Sequence, residues 1–209
     1  MSPKHYLVHD RLVVRFLALL AVVTVVFVAV WAVSYAFLPE GVLRGRTGGA
    51  ALAGNDLAGG SVWLEWSRIF GINLAATFLF MVPANLIRTK SDYPLGYISV
   101  ISVVAIAATT LGTNSFTLPM ATRTPPSLAV FLSSGTYELA AYVLAVAATV
   151  SIARWRVVRW WGSDTTETVV SPKDRSTIRE RNAGLVLSVV LLAVACGWEA
   201  YRVSLAVAS

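Results

Sequence analysis

Long apolar runs separated by short polar breaks dominate this chain. Five of them are long enough to cross about 30 Å of hydrocarbon as helices. They cover about 16–38, 69–87, 95–111, 127–153 and 183–206. The first, "FLALLAVVTVVFVAVWAVSYAFL", gathers Trp31, Tyr35 and Phe37 at its far end, as an interfacial aromatic belt does, and Pro39 and Gly41 stop it. The second contains Asn73, Pro83 and Asn85, and Pro83 should kink or locally break it. The third opens after Pro94. The fourth carries "SSGTYELAAY" and so places Glu138 inside an apolar segment. The fifth carries Cys196 and Glu199.

The breaks are equally patterned. A Gly-rich segment from Glu40 to Ser61 has no helical or strand period and reads as a loop. Trp63 and Trp66 read as headgroup-level anchors leading into the second span. Residues 154–182 form a basic linker. Its Arg/Trp-rich start fits an interfacial helix on anionic lipid, with Arg154, Trp155, Arg156, Arg159, Trp160 and Trp161 as membrane-interface anchors.

Composition agrees with a membrane protein. Of 209 residues 56% are hydrophobic and 13% charged, about half the charge of an ordinary soluble domain. The fold class expected is all-α, a polytopic transmembrane bundle forming one membrane domain in the cell membrane. The first run, about 23 residues, exceeds the roughly 7–15 of a signal peptide and reads as an uncleaved span. The net charge of +6 sits mostly in the flanks of the spans, which is a topology signal and gives no sign of nucleic-acid binding. With five spans, one side carries Lys4, Arg11, Arg15, Arg88, Lys90 and the seven basic residues from Arg154 to Arg181, 12 in all. The other side carries 5: Arg44, Arg46, Arg68, Arg123 and Arg202. The N-terminus is therefore expected in the cytoplasm, as is the 154–182 linker.

Candidate chemistry is sparse. One cysteine allows no intrachain disulfide, His5 and His9 read as solvated tail residues, and no metal-ligand spacing is present. There is no phosphate-binding loop. No histidine accompanies Ser134 and Glu138 in a span, and every aspartate falls outside the spans. No catalytic residue and no cofactor are expected. What remains is polar residues at comparable depth on three spans: Asn73, Glu138 and Glu199. Glu138 lies around the midplane if its span starts near Ser127, and in the outer half if it starts near Ser133. It shares a small-residue face with Ser134, Gly135, Ala141 and Ala145, which suits close helix approach. Asn73 and Asn85 read as interhelical hydrogen-bonding residues, and Glu199 with Arg202 as an interfacial ion pair. Glu138 reads as a bridge between helices, or as a residue for partner docking or for a proton or substrate pathway.

The stretch from Ser67 to Gly162 resembles the stage II sporulation protein M family of small integral membrane proteins. The family's Ile-Phe-x-x-Asn element stands here as Ile69, Phe70 and Asn73. Its Pro-His-Gly-x-x-Glu-Leu element is reduced to Gly135, Glu138 and Leu139, with Ser133 and Ser134 where the family has Pro-His. The resemblance implies a non-catalytic scaffold or subunit of a larger envelope complex, with Asn73, Gly135 and Glu138 organising the bundle or its docking face. The implied partners are the lipid bilayer and other membrane or envelope proteins, and a homo-oligomer is compatible. Two alternatives stay open: a permease-like subunit of an ATP-binding-cassette exporter, partnered by an ATP-binding subunit, and a proton-coupled carrier using Glu138.

Overall fold

The computed structural model describes residues 3–46, 61–116, 122–133, 136–159, 166–169 and 175–208. A short α1 (Pro3–Leu7) precedes α2 (Leu12–Phe37), which runs from the near end of the bundle, that of the N-terminus, to the far end. Helix α3 (Val62–Ala84) returns, and after β1 (Ile87–Arg88) helix α4 (Leu95–Gly112) goes out again. Next come α5 (Leu128–Ser133) and α6 (Thr136–Ala148), ending in a 3₁₀ turn, Val150–Ile152. Strands β2 (Trp155–Val157) and β3 (Thr166–Thr168) lie at the near end, and α7 (Arg175–Ala208) closes the chain. The protein is thus predominantly helical. Among the described residues four helices are long and apolar enough to cross a membrane: α2, α3, α4 and the Ser176–Leu205 part of α7.

The segment expected as one span over 127–153 is described as α5 and α6, with positions 134 and 135 outside the described residues. Thr136 Oγ1 donates to Phe131 O at 2.9 Å and links the two helices. Helix α3 begins at Val62, seven residues before the expected start at 69, because Ser61 caps it by accepting from Trp63 N. The pair Trp63 and Trp66 is therefore helical.

Pro83 explains the middle of α3. It has no N–H to give, and residues Ala76–Met81 widen into a π turn in which Val82 N bonds Thr77 O, five residues back.

The interfacial helix expected at the start of the linker is a strand instead. Arg154 N and Trp155 N both donate to Leu86 O, at 2.8 and 3.0 Å, which commits the backbone to pairing. β2 then runs parallel to β1 (Ile87 beside Trp155) and antiparallel to β3 (Arg156 beside Glu167).

The core is built on helix faces. On α2 the residues Leu19, Val23, Phe27 and Trp31, four apart, are all buried. Facing them on α4 are Val100, Val104, Ala108 and Leu111. Close approach at the far end needs Gly112, where a Cβ would meet Trp31 O at 2.8 Å. Helix α6 is the centre. Every residue from Ala141 to Ala148 is buried, against α2, α4, α7 and the π turn of α3. Small side chains permit this, and Gly184 of α7 sits where a Cβ would lie 2.7 Å from the Ala148 methyl. Large apolar side chains such as Val25, Phe80, Ile106 and Val194 point outward, as lipid-facing residues do.

Candidate functional site

Three helices bring polar side chains together inside the apolar belt. Asn73 lies on α3, Glu138 in the first turn of α6, and Cys196 and Glu199 on one face of α7. Asn73 Nδ2 donates to Cys196 Sγ at 3.6 Å, and Cys196 Sγ donates to Glu138 Oε1 at 3.3 Å. The Glu199 carboxyl lies beside that of Glu138. Tyr142 lies one turn on from Glu138, on the same face of α6.

The supports of this cluster are local. Thr77 Oγ1 bonds Asn73 O at 2.7 Å, just ahead of the π turn. Trp66 stacks on Phe70 with ring centroids 5.4 Å apart, and its Nε1 donates to Ala193 O at 2.9 Å. This fastens α3 to α7 one turn before Cys196. The arrangement can tie three helices. Among the described residues no group of His, Cys, Asp and Glu could hold a metal ion.

Toward the near end a second polar knot lies under α6. Asn85, fully buried, donates to Val146 O and Thr149 Oγ1, both at 2.8 Å, and accepts from Gly96 N at 3.1 Å. It joins α3, α4 and α6, the interhelical role expected for it. Gly96 lies so close that a Cβ there would collide with Asn85 Oδ1. Arg15 closes the end of α6: Nε donates to Ala147 O at 3.2 Å, and Nη1 to His9 O at 2.5 Å and Asp10 O at 2.8 Å. A cation there faces the negative end of the α6 dipole.

Below it the small sheet carries ion pairs. Arg156 reaches Asp92 at 2.6 Å and Glu167 at 3.0 Å, and Arg88 reaches Asp92 at 3.3 Å. Burial pushes the Asp92 carboxyl pKa up. The hydrogen bond from Arg156 and the charge of Arg88 outweigh it and leave the group below its ordinary value.

At the far end Arg123 plays the matching part. Its Nη2 donates to Ser34 O, Tyr35 O and Gly112 O at 3.1, 2.7 and 2.9 Å, and the guanidinium lies over the Tyr35 ring. Beside it Asn114 Nδ2 donates to Glu40 Oε1 at 2.7 Å, so the start of the Gly-rich loop is tied to the end of α4.

The expected site residues divide accordingly. Asn73, Glu138 and Glu199 meet around Cys196. Arg202 sits one turn beyond Glu199 on α7 and is exposed. Of the expected anchors, Arg154, Trp155 and Arg159 are exposed at the near end, whereas Arg156 is engaged in ion pairs within the sheet. Gly135, Trp160 and Trp161 lie outside the described residues. Reading the sequence missed Cys196 as the hub, and Arg15 and Arg123 as helix-end caps. For Cys196 a signal existed: its three-residue spacing from Glu199 puts both on one helix face. No protein-family model, no curated protein and no solved structure matches this chain.

Proposed function

We infer that the protein is a non-catalytic membrane scaffold, a subunit around which a larger envelope complex assembles. The observation that carries this reading is the continuous burial of Ala141–Ala148 on α6, the helix at the middle of the bundle. A centre filled by side chains, cross-tied by Asn85 and by the Cys196 cluster, suits a rigid platform rather than a passage. The resemblance of Ile69, Phe70, Asn73, Gly135, Glu138 and Leu139 to the stage II sporulation protein M pattern adds the scaffold role and envelope partners.

In this reading the chain crosses the cell membrane five times, with α5 and α6 together making the fourth crossing. The N-terminus and the sheet are cytoplasmic, supported by the count of 12 basic residues against 5. Labelling of intact cells with an impermeant thiol reagent tests the topology against the low background of buried Cys196. Arg46→Cys should label and Lys90→Cys should not, and the reverse pattern would invert the assignment.

A permease-like subunit of an ATP-binding-cassette exporter is the second reading. It is favoured by the sheet, which fixes the 88–94 turn to the linker through Arg156 and Asp92 and could take up force from a cytoplasmic ATPase. Purification of the tagged full chain from its own host in a mild detergent, with mass spectrometry of what accompanies it, separates the two. The scaffold reading expects envelope proteins at near-stoichiometric yield without an ATPase. A stoichiometric ATP-binding subunit would overturn it in favour of the exporter.

A further inference from the structure

The outer face of α7 carries a shallow, open groove lined by residues of α7, with Arg179 and Asn182 at the near end and the apolar side chains of Val186, Leu187 and Val190 further along. The three apolar side chains are more than half exposed, at 65%, 58% and 53%. Val190 follows Leu187 by three residues and Val186 by four, and Val186 follows Arg179 by seven, so they share one side of the helix.

We propose that this groove binds one anionic phospholipid of the bilayer, its phosphate against Arg179 and Asn182 and an acyl chain along Val186, Leu187 and Val190. The dimensions support it. Arg179 to Val190 is 11 residues, about 16 Å along a helix, close to half of the roughly 30 Å hydrocarbon core. A shallow apolar face of one leaflet's depth, with Arg179 and Asn182 at its near end, matches a single lipid molecule. Charge supports it as well, because the same end of the bundle exposes Arg11, Arg154 and Arg159, and a basic rim at that level attracts anionic headgroups. The neighbouring carboxylate does not cancel this, since Glu180 Oε2 is turned to the first turn of α2, where it accepts from Leu12 N at 3.4 Å.

A second copy of the chain is the competing occupant. Two protomers related by a twofold axis along the membrane normal would bring Arg179 toward Arg179, like charge against like. The lipid suffers no such repulsion. The site is separate from the scaffold reading and stands or falls without it.

The test uses the full chain purified in a neutral detergent, with phosphatidylglycerol or phosphatidylcholine of identical chains added, and lipid adducts counted by native mass spectrometry. Phosphatidylglycerol should be retained in preference to phosphatidylcholine. Arg179→Ala should reduce that preference about fivefold, the loss of one arginine near an anionic surface. Arg46→Ala, at an exposed arginine at the far end of the bundle, should leave it within about twofold. Equal retention of the two lipids, equal losses in both variants, or a lipid-free dimer abolished by Val190→Arg would each overturn the proposal.

Discussion

Removing the Asn85 side chain should loosen the near half of the bundle more than any single apolar truncation on its outer face. Asn85→Ala deletes two donated hydrogen bonds, to Val146 O and Thr149 Oγ1. Both acceptors keep other partners, because Thr149 Oγ1 still donates to Ala145 O at 2.9 Å and Val146 O still accepts from Thr149 N at 3.2 Å. Side-chain hydrogen bonds between membrane helices average about 0.6 kcal/mol, so this pair contributes about 1 kcal/mol. The third bond weighs more. Gly96 N lies in the first turn of α4, where a backbone donor has no intrahelical acceptor, and Asn85 Oδ1 is its partner. Left buried and unpaired, it costs about 1–3 kcal/mol. The sum is about 2–4 kcal/mol. Cys196 supplies the assay. It is the chain's one thiol and is fully buried, so a thiol-reactive fluorophore reports unfolding from a single site during a denaturing-detergent titration. A loss below about 0.5 kcal/mol would refute the argument that Gly96 N depends on Asn85.

Three further outcomes follow from the same geometry. Glu138→Gln should leave the melting temperature in mild detergent nearly unchanged, because an amide can accept from Cys196 and donate to Glu199. Glu138→Leu should lower it by about 1–2 kcal/mol equivalent, and equal melting of the two variants would sink the bridging role. Arg123→Lys should destabilise nearly as much as Arg123→Ala, about 2 kcal/mol by the same titration, since a single ammonium cannot reproduce a planar fork spread over three carbonyls; full retention in the Lys variant would refute it. For Asp92 the folded pKa is depressed, so its stabilisation is complete above the unfolded value near 4 and is lost as pH falls through the folded value. Asp92→Asn keeps the left-handed backbone (φ 68°), which Asn tolerates, so the stability gap between wild type and variant should be constant from pH 6 to 8 and shrink below about 4. A gap that widens on acidification would reverse the sign.

Which parts of this structure could be seen in the sequence depends on what each residue bonds to. Helix α4 was expected over 95–111 and ends at Gly112, because Pro94 and the polar Thr-Asn-Ser that follows bracket a plain apolar run. Depth was legible too: Asn73, Glu138 and Glu199 fall at comparable levels because each apolar run has a countable rise. The rotation of each helix about its axis was not, and that rotation decides that Cys196 lies between Asn73 and Glu138. Arg15 and Arg123 were invisible as caps for a different reason. Their partners are backbone carbonyls, which every residue has, so no side chain elsewhere marks the match. At the linker, Trp-Arg-Val-Val suits a strand as well as an interfacial turn, and the deciding bonds go to Leu86 O, nearly 70 positions earlier in the chain.

The fastening of Arg15 has a consequence for how such a chain is made. Its partner Ala147 lies 132 positions later, so during synthesis the first crossing enters the bilayer long before the carbonyl that will receive its arginine exists. Until then Nη1 has its local acceptors, His9 O and Asp10 O, while Nε has no carbonyl of α6 to receive it. Tyr97, whose hydroxyl donates to Leu7 O at 2.6 Å, joins the same base at an intermediate stage. The near end is thus assembled in sequence, α4 before α6. A ribosome-bound intermediate stopped before α6 should leave the His9–Arg15 segment open to protease, and one stopped after it should not.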